Sequence, residues 1–152
     1  MNRKGNNNTM AKSKPIISLQ SYGIYSNWDS KSKSLPQIKE FTTDVNAKLD
    51  IEFGLIVNIK KAKGEKLHFC IYHPDIPDEN GDIMAPFEGV EYVKDNDWHF
   101  YLGDTLWEPI ENKLGDWRMT LTLNNQVIAD KTFNVQLEEQ RTETDFWKKR
   151  GY

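Results

Sequence analysis

The stretch HFCIYHPDIPDENGD, residues 68–82, gathers two of the chain's three histidines, its only cysteine and four carboxylates. These are the residue types from which metal centres and acid–base sites are built. Spacing limits what they can do. Side chains alternate along an extended chain, so Leu67, Phe69 and Ile71 share one face while His68, Cys70 and Tyr72 share the other. His68 and Cys70 can meet; His73 has the parity of Leu67 and stands where the chain turns at Pro74. Zinc needs three or four ligands converging at about 2.0–2.3 Å, and only two are in reach. The expectation is a half-exposed histidine beside a small apolar thiol, with no metal bound. The acids that follow do not form an EF-hand either. With Gly81 at loop position six, Asn80 and Asp78 fit, but Ile76 and Phe87 fall where the first and last ligands belong. PDENGD reads as a turn, with a weak calcium site on Asp75, Asp78, Glu79 and Asp82 as the alternative.

Other chemistries find less support. No serine lies in a Gly-x-Ser-x-Gly elbow, and Cys70 is placed mid-strand rather than at a helix N-terminus that would activate it. No glycine loop has the spacing that cradles phosphates. Glu52, Glu91 and Glu108 are candidates for a paired-carboxylate hydrolase only in the sense that such pairs need converge in space alone. Lys60, Lys61, Lys63 and Lys66 surround one turn, where charge keeps a hairpin tip soluble. Single-strand nucleic-acid binding needs cations beside stacking rings, and only the tail offers that, with Phe146 and Trp147 before Lys148, Lys149 and Arg150. Trp28 and Trp107 belong to no clean alternation, so each either plugs an end of the fold or offers contact surface. Trp28, Trp107, Phe146 and Trp147 are therefore the candidate binding residues. No catalytic residue and no cofactor is assigned.

The elements that must carry these residues are strands. In LDIEFGLIVNI every odd position from Leu49 to Ile59 is apolar, while Asp50, Glu52 and Asn58 lie between them. That period predicts a long half-buried strand with Glu52 on the open face. LHFCIYH resumes the pattern after a turn at Gly64, and the two segments are expected to pair as an antiparallel hairpin. A second hairpin is expected from Trp117–Leu123 to Val127–Leu137, turning at Asn124-Asn125, with a bulge or edge position at Lys131. Trp98, Phe100 and Leu102 mark another strand, with Trp98 and Trp117 in the core. IISLQSYGIY and QIKEFTTDV mark two more, giving about seven. The fold class predicted is all-β: an antiparallel two-sheet sandwich, immunoglobulin-like, with a closed barrel of the OB type as the alternative. A short helix is expected in the tail, with Thr142 as its N-cap and Gly151 after it.

The organisation expected is a disordered segment over 1–14, a sandwich domain over 15–137 and a charged, aromatic tail over 138–152. Met10 is an alternative start. The 152 residues, 38% apolar, are enough for one core. A net charge of −3 disfavours nucleic acid as a whole-domain partner. One cysteine excludes an internal disulfide. No apolar run has the length of a signal sequence or a membrane span, which makes the cytoplasm the default location.

The order of SYGIY, DIEFGLIVNIKKAKGEKLHFCIYHPDIPDENGD and GDWRMTLTLNNQVIADKTFNV resembles the bacterial family known as domain of unknown function 3859. The resemblance covers roughly residues 20–136. It rests on the Tyr-Gly-Ile-Tyr start, Phe-Gly in the long strand, His73-Pro74 before the acidic turn, and Gly-x-Trp opening a hairpin that ends Phe-x-Val. It implies a bacterial domain and transfers no catalytic residue. The function expected is a non-catalytic binding or protein-interaction module, with a protein partner or self-association and no membrane. A hydrolase at one end of the sandwich and single-strand binding through the basic tail are the alternatives.

Overall fold

The computed structural model describes residues 14–29, 31 and 34–141. Among them nine strands form two facing sheets: β1 (Ile16–Tyr25), β2 (Ile38–Phe41), β3 (Asp44–Asn46), β4 (Glu52–Lys60), β5 (Lys66–Tyr72), β6 (Phe87–Tyr92), β7 (Asp97–Thr105), β8 (Gly115–Leu123) and β9 (Gln126–Gln136). One sheet has the order β2-β1-β4-β7 and the other β3-β9-β8-β5-β6. All pairs are antiparallel except β3 with β9. The all-β sandwich expected from the alternation is the fold. No helix among the described residues is long and apolar enough to cross a membrane.

The core is where the alternation placed it. Phe53, Leu55, Val57 and Ile59 of β4 are fully buried against Leu67, Trp117, Met119, Leu121, Phe133 and Val135 of the facing sheet. The Phe53 ring meets Trp117 and Phe133 edge-on, each at 5.5 Å between centroids. Such geometry adds about 0.5–1.5 kcal/mol per pair beyond the area buried.

Several expectations need correction. β4 and β5 are not a hairpin. β4 has both edges occupied by β1 and β7, and β5 has both occupied by β6 and β8. The basic segment between them therefore crosses from one sheet to the other, and Ala62 is buried beneath it. Nor is β4 half-buried: its outer face is covered too, with Glu52 at 5%, Ile56 at 7% and Asn58 at 5% exposure. QIKEFTTDV is two strands rather than one. The chain leaves the first sheet after Phe41 and enters the second at Asp44, with the Thr42 hydroxyl accepting from the Asp44 N–H at 2.9 Å. β6 was not anticipated, because FEGVEY interleaves acids and glycine with its rings.

The β8–β9 hairpin is as expected, and Asn124 and Asn125 both take positive φ, 50° and 67°, the conformation a two-residue primed turn requires. The bulge, however, falls at Ile128, between the pairs Leu121↔Ala129 and Thr122↔Val127. Lys131 stays in register at the edge, since β3 covers only Asn134–Gln136, and its ammonium lies 4.1 Å from the Tyr22 ring centroid. At the end of the chain, residues 138–141 are already helical, upstream of the expected cap. Arg141 donates to the carbonyls of Val45 at 3.0 Å and Asn134 at 2.9 Å and pairs with Asp44 at 2.9 Å. The expectations for residues 1–13, Thr142, Phe146, Trp147 and the terminal bases lie outside the described residues.

Candidate functional site

Edge strands create the most distinctive surface of the molecule. β7 closes one sheet and β6 closes the other, on the same side of the sandwich. Among the described residues neither edge is continued by a further strand, and the inward rings there are half-buried rather than sealed. Phe69 of β5 lies opposite Gly89 of β6. A Cβ on that glycine would come within 2.7 Å of the Phe69 ring, so its absence lets the ring lie down toward the edge. Phe69 is 6.1 Å from Phe100, and Phe100 is 5.3 Å from Trp98. Together with Ile71, Phe87 and Leu102 these rings line a groove of about 1010 Å³ beside β7. Trp28 and Leu35 extend it around the outer face of β7, and Lys31, Lys94, Glu91 and Asp95 stand on its rim.

A polar cluster lies behind the lower end of this groove, on the outer face of the first sheet. Gly54 of β4 and Gly103 of β7 are in register, and a Cβ on Gly103 would collide with the Tyr101 ring. The tyrosine folds over that bare backbone, and its hydroxyl donates to Glu52 Oε2 at 2.5 Å. The Thr105 hydroxyl donates to Glu52 Oε1 at 2.5 Å. Ser21 and Tyr25 share a hydrogen bond of 2.7 Å above them. Burial, then the Glu52 carboxylate, holds the Tyr101 hydroxyl far above the ordinary phenol range. Burial pushes Tyr25 up to about 12, against the opposing bond from Ser21. Asp104, which lines the groove, is raised to about 6. Burial is the main cause and the Glu52 charge adds to it, while the Thr105 N–H and His73 act in the other direction.

Among the described residues, the histidines and acids singled out in the sequence are engaged separately. His68 Nε2 pairs with Glu88 at 2.9 Å across the β5–β6 ladder. Cys70, on the same face, is buried, and burial raises its pKa. His73 is held by the carbonyls of Pro74 at 2.7 Å and Ala85 at 2.9 Å, with its ring 4.5 Å from Phe87. It therefore clamps the two ends of the acidic loop. Within that loop Asp78 Oδ1 accepts from the N–H groups of Asn80 and Asp82, at 2.8 and 3.0 Å, so the carboxylate builds the turn. Among the described residues no three His, Cys, Asp or Glu side chains group as a metal site. Glu52 is sealed under Tyr101, Glu91 sits on the groove rim, and Glu108 lies in a separate depression at the end of the sandwich. Glu91 and Glu108 line different cavities, and Glu52 lines neither of the two.

Of the candidate binding residues, Trp28 is a wall of the groove. Its ring stands edge-on to Tyr101 at 5.0 Å and its indole N–H donates to the Ser34 carbonyl at 2.9 Å. Trp107 is elsewhere, covering the end of the core. It lies 6.2 Å from Trp117, with the buried Lys113 ammonium 4.4 Å from its ring and 3.0 Å from the Pro109 carbonyl. Desolvation lowers the Lys113 pKa. Asp104 was not anticipated, and Trp98 and Phe69, expected on core-facing sides of their strands, pack against the core as half-buried rings at its edge. The alternation gave their direction correctly, but which strand ends a sheet is set by pairing and leaves no mark in the period.

The structure is similar to the crystal structure of an immunoglobulin-like protein from Pseudomonas aeruginosa. The two share 24% sequence identity and a TM-score of 0.67 over 83% of this chain and 99% of that one. The sandwich is thus immunoglobulin-like. No curated protein matches the chain. A family model matches residues 13–135, which include the Tyr-Gly-Ile-Tyr of β1, the Phe53-Gly54 step under Tyr101, the His73 clamp and the Trp117 of the core. The chain belongs to the family described as domain of unknown function DUF3859.

Proposed function

We propose that this domain is a non-catalytic binding module that receives an extended segment of another protein along β7. The observation that carries the reading is the coincidence of an open strand edge with an aromatic groove: among the described residues β7 pairs with β4 alone, and the groove runs beside it. A segment added to that edge gains main-chain hydrogen bonds, and alternate side chains enter the groove. Among the described residues Lys31 and Lys94 on the rim are matched by Glu91 and Asp95, which gives them no cationic excess with which to track a phosphate backbone. The preferred segment is therefore apolar at alternate positions and close to neutral.

Peptides selected from a random library against the folded domain test this. Amide shifts and slowed amide exchange should map to residues 98–104, and Phe100→Ala, checked for an otherwise intact spectrum, should weaken the selected peptides at least tenfold. Selected peptides that perturb the loops or the outer face of β8 and β9, and leave residues 98–104 unmoved, overturn the reading.

A further inference from the structure

A second depression lies at the end of the sandwich where β9 runs out. It has a volume of about 590 Å³ and is lined by Leu49, Pro109 and Ile110, with Glu108 and Glu111 beside them. Leu49 is 47% exposed there. We propose that the occupant of this depression is the chain's own C-terminal segment, with Trp147 on Leu49, Pro109 and Ile110 and the run Lys148-Lys149-Arg150 against Glu108 and Glu111.

Reach is the first argument. Gln136, the last residue of β9, accepts from the Ala47 N–H at 2.8 Å, and Leu49 follows two residues later. Arg141 is pinned on this same seam by Val45, Asn134 and Asp44. The segment therefore starts on the β3–β9 seam, whose chain runs on from Asn46 to Leu49 of the depression. Trp147 is six residues beyond Arg141, a span of about 9 Å if helical and about 20 Å if extended. The opposite end of the sandwich is out of range, because the 11 residues of β9 place it about 36 Å away.

Composition and charge supply the second argument. Residues 142–152 carry two adjacent rings followed at once by three cations. The depression offers two apolar side chains and a proline next to two acids. The aromatic groove beside β7 has a balanced rim and would not select a basic segment. Glu111 also faces the buried Lys113 and favours its charge, but the Lys113 ammonium is engaged by Pro109 and Trp107. The acids Glu143 and Asp145 precede the rings, which keeps them on the Arg141 side of the contact.

The test compares methyl and amide spectra of the full chain with those of a chain ending at Arg141, which keeps the anchor. The expected result is a ring-current shift on Leu49 and Ile110 that is lost in the shortened chain and in Trp147→Ala. The variant Glu108→Lys, on the surface and away from the Glu111–Lys113 contact, should weaken it too, and salt should reduce it. Labelled shortened chain mixed with unlabelled full chain reports on a second copy. Shifts at Leu49 and Ile110 that depend on that mixing would assign the depression to another molecule's tail and overturn the proposal. Truncation that moves residues lining the β7 groove, or moves nothing, overturns it as well.

Discussion

Replacing Asp104 by asparagine should stabilise the protein at neutral pH and do nothing in acid. The carboxylate is raised from 3.8 to about 6, chiefly by burial and further by the Glu52 charge. As pH climbs, the unfolded chain gives up this proton first, so the native state binds more protons across the window from 3.8 to about 6. Stability contributed by this group therefore falls through that window and stays lowered above it. At about 1.4 kcal/mol per pH unit, the full penalty is about 3 kcal/mol. Asp104 lines an open groove, where water screens the charge, and about 1–2 kcal/mol is the realistic share. Asparagine keeps the acceptor for the Thr105 N–H, now 2.8 Å from Oδ1, and carries no charge. For a chain of this length, about 2–4 °C accompanies each kcal/mol. The variant should then melt about 2–8 °C higher than the parent at pH about 7.5 and coincide with it below pH about 4. Other carboxylates titrate in the same range, so the difference between the two chains is the quantity to read. A variant that melts lower at neutral pH would show that His73 holds Asp104 as a stabilising anion. A difference independent of pH would show that packing alone is at stake.

Phe53→Ala should cost about 3–5 kcal/mol in chemical denaturation, as a large ring lost from a sealed core. Glu52→Ala should also destabilise, by about 1–3 kcal/mol, because the buried Tyr101 hydroxyl and the half-buried Thr105 hydroxyl lose their acceptor; a cost near zero would show that water replaces it. Gly54→Ala puts a Cβ against the Leu102 carbonyl and should cost about 3 kcal/mol or more. Gly64→Ala has nothing within 4 Å and should cost only the strain of its positive φ, about 1–2 kcal/mol. Comparable melting shifts for the two glycines would mean that β4 and β7 are not in this register. Protein purified without chelator or affinity tag should hold no stoichiometric zinc by elemental analysis. One equivalent, lost on replacing both His68 and Cys70, would refute the reading of that strand.

Period-two patterning made the sandwich legible because burial of one face is a local constraint, written residue by residue into β4, β8 and β9. Pairing is not local, which is why the segments either side of Lys61–Lys66 looked like a hairpin. The alternation of β4 continues into β5 after a short basic turn, and only the buried Ala62 among those lysines hints that the chain dives across the core. Glu52 was misplaced for a related reason. An acid on the off-beat of a strand reads as solvent-facing, and nothing within DIEFG announces that Tyr101, some fifty positions later, will lie over it. The hint was the glycine: Gly54 in a strand interior signals close approach by another group. Asp104 was invisible because GDT resembles a turn, whereas in the fold it is the final inward step of an edge strand. The candidate groove was thus legible as a set of rings and illegible as a place.

The two open sides of the sandwich are finished differently, and the contrast bears on where binding belongs. On the β2–β3 side the chain covers itself: Tyr22 packs edge-on to Phe41 at 6.0 Å, Lys131 caps the Tyr22 ring, and Arg141 ties β3 to β9. On the β6–β7 side nothing comparable spans the gap among the described residues, and Phe69, Phe87, Trp98 and Phe100 remain half-buried. A bare aromatic edge is an aggregation hazard, which native folds blunt with charge or cover. Here Asp97 and Asp104 stand at either end of β7 and Lys94 and Asp95 lead into it, so the edge is guarded at its ends and open in the middle. Each further 100 Å² of apolar surface covered there is worth about 2.5 kcal/mol, before the entropy of docking is subtracted. A strand laid along residues 98–102 would collect that gain and meet acids only at its termini. Register would follow from which alternate positions carry the apolar side chains, since a slip of one residue turns every one of them out of the groove.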